Sequence, residues 1–119
     1  MWVSAVNSGY GVNQSVATVV LGSLSPEGSL VMIEEPETHL HPRFQRKMAE
    51  ILLGMAQEGK QVLITSHSDH ILQTLGDLVG QGGFPKEDVK VYHFEKQGRE
   101  TKAAPIDLFD KEAVTELFV

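Results

Sequence analysis

Carboxylates and an imidazole follow two separate apolar runs of this chain, at the point where each run ends. Glu34 and Glu35 come directly after Leu30–Ile33, and His67 comes shortly after Gln61–Thr65. Carboxylates bind Mg²⁺ together with phosphate oxygens and water, and a second carboxylate can orient and deprotonate an attacking water. Brought together, these side chains would suit the attack of water on a magnesium-bound phosphate.

The segments around these residues predict the unit that would bring them together. Both apolar runs are typical of strands covered on both faces in a parallel sheet. Between them, Pro42 suits the first turn of a helix, and Gly59 ends it; the apolar residues spaced for one face are Phe44, Met48, Ile51, Leu52 and Met55. Ligands bind beyond the carboxyl ends of parallel strands, so we expect one crevice to receive both acids and the histidine.

A structural alternative is that Glu34 and Glu35 only favour the start of the following helix. That role does not explain two consecutive acids at the mouth of a buried strand, where a carboxylate needs a charge partner or a proton.

The remaining pattern predicts a single α/β domain over residues 1–119, with a mainly parallel sheet and flanking helices. The first dozen residues read as a polar loop, and the spacing of valines favours a helix from Asn13. Ser68 can cap another helix, which ends at Gly80. We expect a strand at Val89–Glu95, a paired return strand in TKAAPI and a terminal helix in DKEAVTELF.

Composition limits the class of protein. The chain has 119 residues, 41% of them hydrophobic, and no cysteine, so disulfides and thiolate metal sites are excluded. It has neither a signal-peptide pattern nor an apolar run near the ~20 residues that span a bilayer, and we expect a soluble, cytoplasmic protein without membrane contact. The net charge of −6 argues against broad nucleic-acid binding by this segment. A basic trio on one helix is expected to be a solvated face: Arg43, Arg46 and Lys47.

Three segments, in order, resemble motifs of ABC-class P-loop ATPases. VMIEEPETHLHP resembles the Walker B and D-loop segments, QVLITSHSDHIL the switch-histidine segment, and NSGYGVNQ the signature loop. The chain is most similar to predicted AAA/OLD-like ATPases, which are related to the overcoming-lysogenization-defect and Rad50/SMC proteins. The resemblance covers roughly residues 4–106. It implies ATP and Mg²⁺ as ligands and hydrolysis across a head-to-tail homodimer.

The resemblance also implies roles for individual residues. Glu34 would hold Mg²⁺ through water, in place of the usual aspartate, and Glu35 would be the catalytic base. His67 would contact the γ-phosphate, and Glu37 would lie in the D-loop, which meets the partner subunit. The signature loop, which reaches the nucleotide of the other protomer, would include Ser8, Gly9, Gly11, Asn13 and Gln14. Whether a serine or an asparagine contacts phosphate stays open, because GYGVNQ departs from the LSGGQ pattern.

Such an ATPase also needs a Walker A loop, and the chain offers only an imperfect match, GMAQEGKQ. Gln61 stands where a serine or threonine binds magnesium, and the segment ends a helix, whereas a phosphate loop opens one. We therefore expect the C-terminal half of an ATPase domain, truncated or split, which is inactive without its N-terminal half. The missing strand would lie between Gln61–Thr65 and Val89–Glu95, leaving a gap or exposed edges.

Three other functions are considered. The chain can be a non-catalytic dimerisation or interaction module built on the ATPase scaffold. A transition-metal site would use Glu37, His39, His41 and His67. A nuclease would depend on the acids near the C-terminus: Asp107, Asp110, Glu112 and Glu116. Nucleic-acid binding is expected only of the full-length protein, and the process that ATP turnover would drive stays open.

Overall fold

The computed structural model describes residues 10–118, in which helices and strands alternate before a C-terminal hairpin and helix. The elements are α1 (Tyr10–Leu24), β1 (Leu30–Glu34), α2 (Pro42–Gln57), β2 (Gln61–Thr65), α3 (Asp69–Gly80), β3 (Val91–Gln97), β4 (Glu100–Ile106) and α4 (Lys111–Glu116); a short 3₁₀ turn, Lys86–Asp88, precedes β3. Among these helices, none combines the length and apolar character needed to cross a membrane.

β1, α2 and β2 form the predicted strand–helix–strand unit. The two strands are parallel, with Leu30 opposite Gln61 at one end and Glu34 opposite Thr65 at the other. Their carboxyl ends therefore lie at the same edge, and the loops that follow them emerge side by side. Pro42 begins α2, and Gly59, with φ of +87°, follows its end, as the sequence predicts.

The remaining strands confirm the predicted return strand in TKAAPI but not the prediction of one mainly parallel sheet. β3 and β4 form an antiparallel hairpin in a sheet of their own, with Val91 opposite Ile106 and Gln97 opposite Glu100. A tight turn with Gly98 at φ of +65° joins them, so the partner of β3 is its own neighbour in sequence. The parallel sheet has two strands within the described residues, and β2 and β3 do not pair. Whether a further strand would lie between them, as the resemblance implies, stays a prediction.

The core lies between one face of the parallel pair and the helices α2 and α3. Its buried residues are Val31, Met48, Ala49, Leu52, Met55 and Ile71, with Ile33, Leu40, Val62, Ile64 and Leu75 packed against them. Phe44 and Ile51, predicted on the same helical face, remain exposed. The buried stripe of α2 thus begins one turn later than the spacing predicts.

The opposite face of β1 and β2 is uncovered, which corrects the prediction of strands buried on both faces. Side chains alternate along a strand, and Leu30, Met32 and Leu63 are 56%, 63% and 53% exposed. They lie opposite the core-facing residues of the same strands, and no element within residues 10–118 covers them. This apolar surface is called the open face below.

α1 begins at Tyr10, so the predicted loop is wrong for residues 10–12, where the helix extends upstream of Asn13. At the other end of α1, the ammonium of Lys60 donates to the carbonyl of Gly22 and to the carboxylate of Glu58, 2.9 Å away. Carbonyls in the last turn of a helix lack helical partners, and a cation is favoured there. Lys60 is buried and so caps α1, which agrees with the rejection of its segment as a phosphate loop.

Candidate functional site

The turn after β1 begins with Glu35 in an unusual backbone conformation. Its φ of +45° lies in the left-handed region, which costs about 1–3 kcal/mol for a residue with a side chain. Two hydrogen bonds hold it there: its N–H donates to the carbonyl of Thr65 at 2.8 Å, and its own carbonyl accepts from Thr38 at 3.0 Å. The first extends the parallel ladder by one residue, so β2 fixes the position of Glu35.

The structure brings Glu35 and His67 into contact. Oε1 of Glu35 lies 2.9 Å from Nε2 of His67, and the side chains are 46% and 86% exposed. At this distance the Nε2–H of the imidazole donates to the carboxylate. An exposed pair of this kind contributes only about 0–1 kcal/mol to stability. It contributes little to the stability of the fold, but it joins a carboxylate and an imidazole at the carboxyl ends of two strands.

Glu34 is the last residue of β1, exposed and opposite Thr65 in the register. Alternation along the strand puts it on the side of Met32, the open face. Its side chain forms no hydrogen bond or ion pair within residues 10–118. An accessible carboxylate without a protein partner suits Mg²⁺, which takes one or two carboxylates and keeps several waters. The chemistry of this residue fits the ion that the resemblance implies.

Glu37 is buried, which sequence reasoning did not foresee. Its carboxylate oxygen Oε1 accepts from the hydroxyl of Ser66 at 2.9 Å and from the backbone N–H of His67 at 2.6 Å. The other oxygen, Oε2, is buried with no hydrogen-bond partner among the described residues. The residue as a whole is 8% exposed. One available signal was its position in a turn that the strand register brings beside the loop after β2.

Further hydrogen bonds close a ring around Glu37. The hydroxyl of Ser66 accepts from the N–H of Ser68 at 3.0 Å, and the hydroxyl of Ser68 donates to Gln45 Oε1 at 2.5 Å. Nε2 of Gln45 donates to the carbonyl of Leu40 at 2.9 Å, and the N–H of Leu40 donates to the carbonyl of Glu37 at 3.0 Å. This carboxylate ring ties together the turn after β1, the start of α2 and the loop after β2.

The histidines proposed for a transition-metal site have other surroundings. Nδ1 of His41 accepts from the N–H of Arg43 at 3.3 Å and caps α2. His39 has φ of +62° in the turn. Within residues 10–118, no group of three or more potential ligands is close enough to hold a metal ion. The described residues therefore do not support that alternative.

The C-terminal acids proposed for a nuclease also have local roles. The carboxylate of Asp107 accepts from the N–H of Phe109, and that of Asp110 accepts from the N–H groups of Glu112 and Ala113, capping α4. These contacts explain both aspartates as turn and cap residues.

The predicted signature loop lies only partly within the described residues. Ser8 and Gly9 lie outside the described residues. Gly11, Asn13 and Gln14 belong to the first turns of α1, so this part is helical instead of a loop.

Comparison with known proteins adds an independent finding. A family model described as an AAA ATPase domain matches residues 7–72, more than half of the chain, and includes the turn after β1 and the loop after β2. The chain is 28% identical over 90 residues to the energy-coupling factor transporter ATP-binding protein EcfA2 of Leuconostoc mesenteroides, which covers 73% of this chain and 32% of that protein.

Two further relatives are similar over shorter segments. The Septu protein PtuA of Bacillus thuringiensis is 34% identical over 65 residues, or 53% of this chain and 16% of that protein. The energy-coupling factor transporter ATP-binding protein EcfA of Carboxydothermus hydrogenoformans is 32% identical over 56 residues, or 47% and 21%. The chain spans no more than about a third of the length of these relatives. No solved structure matches it.

Proposed function

The chain belongs to the AAA ATPase domain family, and on that premise we propose that it supplies the water-activating half of an ATP-hydrolysing site. Glu35 is the general base, His67 contacts the γ-phosphate, and Glu34 holds Mg²⁺ through water. The observation that carries the proposal is the 2.9 Å contact between Glu35 and His67 at the carboxyl ends of two parallel strands.

The route of the proton from the attacking water follows from this arrangement. Oε1 of Glu35 accepts a hydrogen bond from His67, so Oε2 is the oxygen left to orient a water and take its proton. The imidazole restrains the carboxylate, and the same Nε2–H would be the donor that it offers to the attacked phosphate. Mg²⁺, when bound near Glu34, would neutralise charge on the phosphates. Each of these roles is assigned to a residue within the segment that the family model matches.

We do not assign a phosphate-binding loop to residues 1–119. Their one partial match to the Walker A pattern lies at the end of α2, and its lysine, Lys60, caps α1. We propose that a separate segment, in the same polypeptide or another, supplies that loop, and that the site is completed between two subunits. The open face, and the lack of pairing between β2 and β3, are consistent with an additional covering element.

The test is Glu35→Gln in the complete ATPase domain, with the phosphate-binding loop present. Glutamine preserves size but cannot take a proton, so kcat falls by roughly 10²–10⁴-fold, while ATP binding and ATP-dependent dimerisation persist. Glu50→Gln is the matched control, because Glu50 is also half-exposed and ion-paired, to Lys47 on α2. Normal turnover in E35Q would refute the role of Glu35.

The competing function is a non-catalytic dimerisation module, which the lack of a phosphate loop in residues 1–119 favours. Calorimetry with Mg-ATP on the complete domain separates the two. The ATPase proposal expects binding that weakens in the absence of Mg²⁺, and no heat of binding would support the module instead.

A further inference from the structure

Glu37 is a buried acid that the proposed chemistry does not use. We infer that Glu37 is a positioning residue, which sets the separation of Glu35 and His67 by bonding the main chain of the loop that carries the histidine. The inference deepens the proposed function and rests on it for its kinetic consequences. Its structural part, the link between the two loops, stands on the contacts of Glu37 alone.

The first argument is where the contacts fall. Glu37 lies two residues after Glu35, and its Oε1 accepts from the N–H of His67 itself at 2.6 Å. A second bond, from Ser66, reaches the same oxygen at 2.9 Å. Hydrogen bonds to a charged group contribute more than those between neutral groups. One side chain from the turn after β1 therefore fixes the backbone on which the imidazole is mounted.

The second argument is that the turn itself has little freedom. Pro36, fully buried, has a fixed φ between Glu35 and Glu37. The carboxylate ring described above holds Glu37 from the other side, through Leu40 and Gln45. A displacement of Glu37 would therefore move the loop after β2 relative to Glu35. Misplacing a catalytic group by ~1 Å can lower a rate ~100-fold.

The third argument separates positioning from chemistry. Glu37 is 8% exposed, and its Oε2 is buried among the described residues without a donor. Neither oxygen is accessible enough to take a proton from an attacking water. A glutamine at this position keeps a carbonyl oxygen where Oε1 lies, so both bonds to Ser66 and His67 survive loss of the charge. An alanine removes them.

Amide hydrogen exchange tests the structural part in the 119-residue chain. In Glu37→Ala, exchange at the His67 amide should accelerate by roughly 10- to 100-fold, as expected for loss of a charge-assisted bond. In Glu37→Gln it should stay much closer to the wild-type rate. Amides in the buried part of α2, such as that of Leu52, serve as the control and should change little. Equal protection of the His67 amide in wild type and E37A would overturn the inference.

Steady-state kinetics in the complete ATPase domain test the functional part. E37A should lower kcat about 10- to 100-fold and leave KM for ATP within about threefold, since the change acts on transition-state geometry. E37Q should recover most of that loss. Because Glu37 acts through His67, adding E37A to a Glu35→Gln, His67→Ala background should cost less than about twofold.

The outcomes distinguish this inference from the proposed function. If E35Q and H67A are each fully active, the proposed function fails, whatever Glu37 does. If those variants are impaired but E37Q is as poor as E37A, the charge of Glu37 is needed and the positioning role is wrong. An undiminished effect of E37A in the double-variant background would also overturn it, because the loss would then bypass the pair.

Discussion

The left-handed backbone of Glu35 gives a stability prediction with an internal control. Glu35 has φ of +45°, and Glu50 lies within helix α2. The two side chains are 46% and 47% exposed, and each forms one ion pair at 2.9–3.0 Å. Replacing either residue with alanine or glycine therefore removes similar contacts. What differs between the sites is the backbone conformation that the new residue must adopt.

The expected signs are opposite at the two sites. The left-handed conformation destabilises the folded state by roughly 1–2 kcal/mol for an L-residue but not for glycine. Glycine in turn lowers stability by about 0.4–1 kcal/mol, because it has more conformational freedom in the unfolded chain. We expect E35G to be more stable than E35A by about 1 kcal/mol, whereas E50A should exceed E50G by about 0.5–1 kcal/mol. Because both variants at a site lack the glutamate side chain, the difference between them does not include the loss of its contacts.

Urea unfolding of the 119-residue chain, followed by far-UV circular dichroism, measures all four variants. Equal m-values ensure that the midpoint differences report stability. Alanine at position 35 matching or exceeding glycine would refute the claim that the turn is strained. A positive result would mean that the proposed base, Glu35, is held in a backbone conformation that the chain does not prefer locally, as is common at functional sites. Both variants at position 35 should lack ATPase activity in the complete domain.

Four further substitutions follow from packing and capping. Lys60→Met should lower the free energy of unfolding by roughly 1–3 kcal/mol, because the carbonyl of Gly22 loses its charged donor, with a loss below 0.3 kcal/mol contradicting the cap. Gly22→Ala would bring a Cβ within 2.0 Å of the Met55 methyl carbon and should destabilise the fold by about 1–3 kcal/mol. Gly54→Ala, whose Cβ would enter open space, should stabilise it by about 0.5–1 kcal/mol. Thermal denaturation of the two variants tests whether their effects have opposite signs. Ser68→Ala removes the cap of α3 and should cost about 1 kcal/mol, and calorimetry showing no shift in Tm would contradict that role.

Local signals explain the part of the fold that the sequence predicted. Pro42 and Gly59 bound α2 because one lacks a backbone donor and the other adopts a positive φ. Ser68 caps α3 through a bond to Ile71. The meeting of Glu35 and His67 followed from a topological rule, since the ends of parallel neighbours share an edge. Each of these depends on few residues close in sequence or on a general property of parallel sheets.

Features that depend on tertiary contacts could not be predicted from the sequence. Nothing in EEPETHLHP distinguishes the buried acid, Glu37, from its exposed neighbour Glu34; burial comes from the loop after β2, which donates to it. The open face was missed for a similar reason. An apolar run is typical of a strand covered on both faces, but its composition does not say whether the element that covers it lies within residues 10–118.

The open face also changes what a stability measurement on this chain means. Leu30, Met32 and Leu63 remain in water, and covering them would contribute at about 25 cal/mol per Å² of apolar surface. Anything that covers them binds the folded state preferentially, so the unfolding equilibrium depends on the concentration of the covering molecule. Unfolding curves recorded at several dilutions, and in sulfate, which strengthens apolar association, would then give different midpoints.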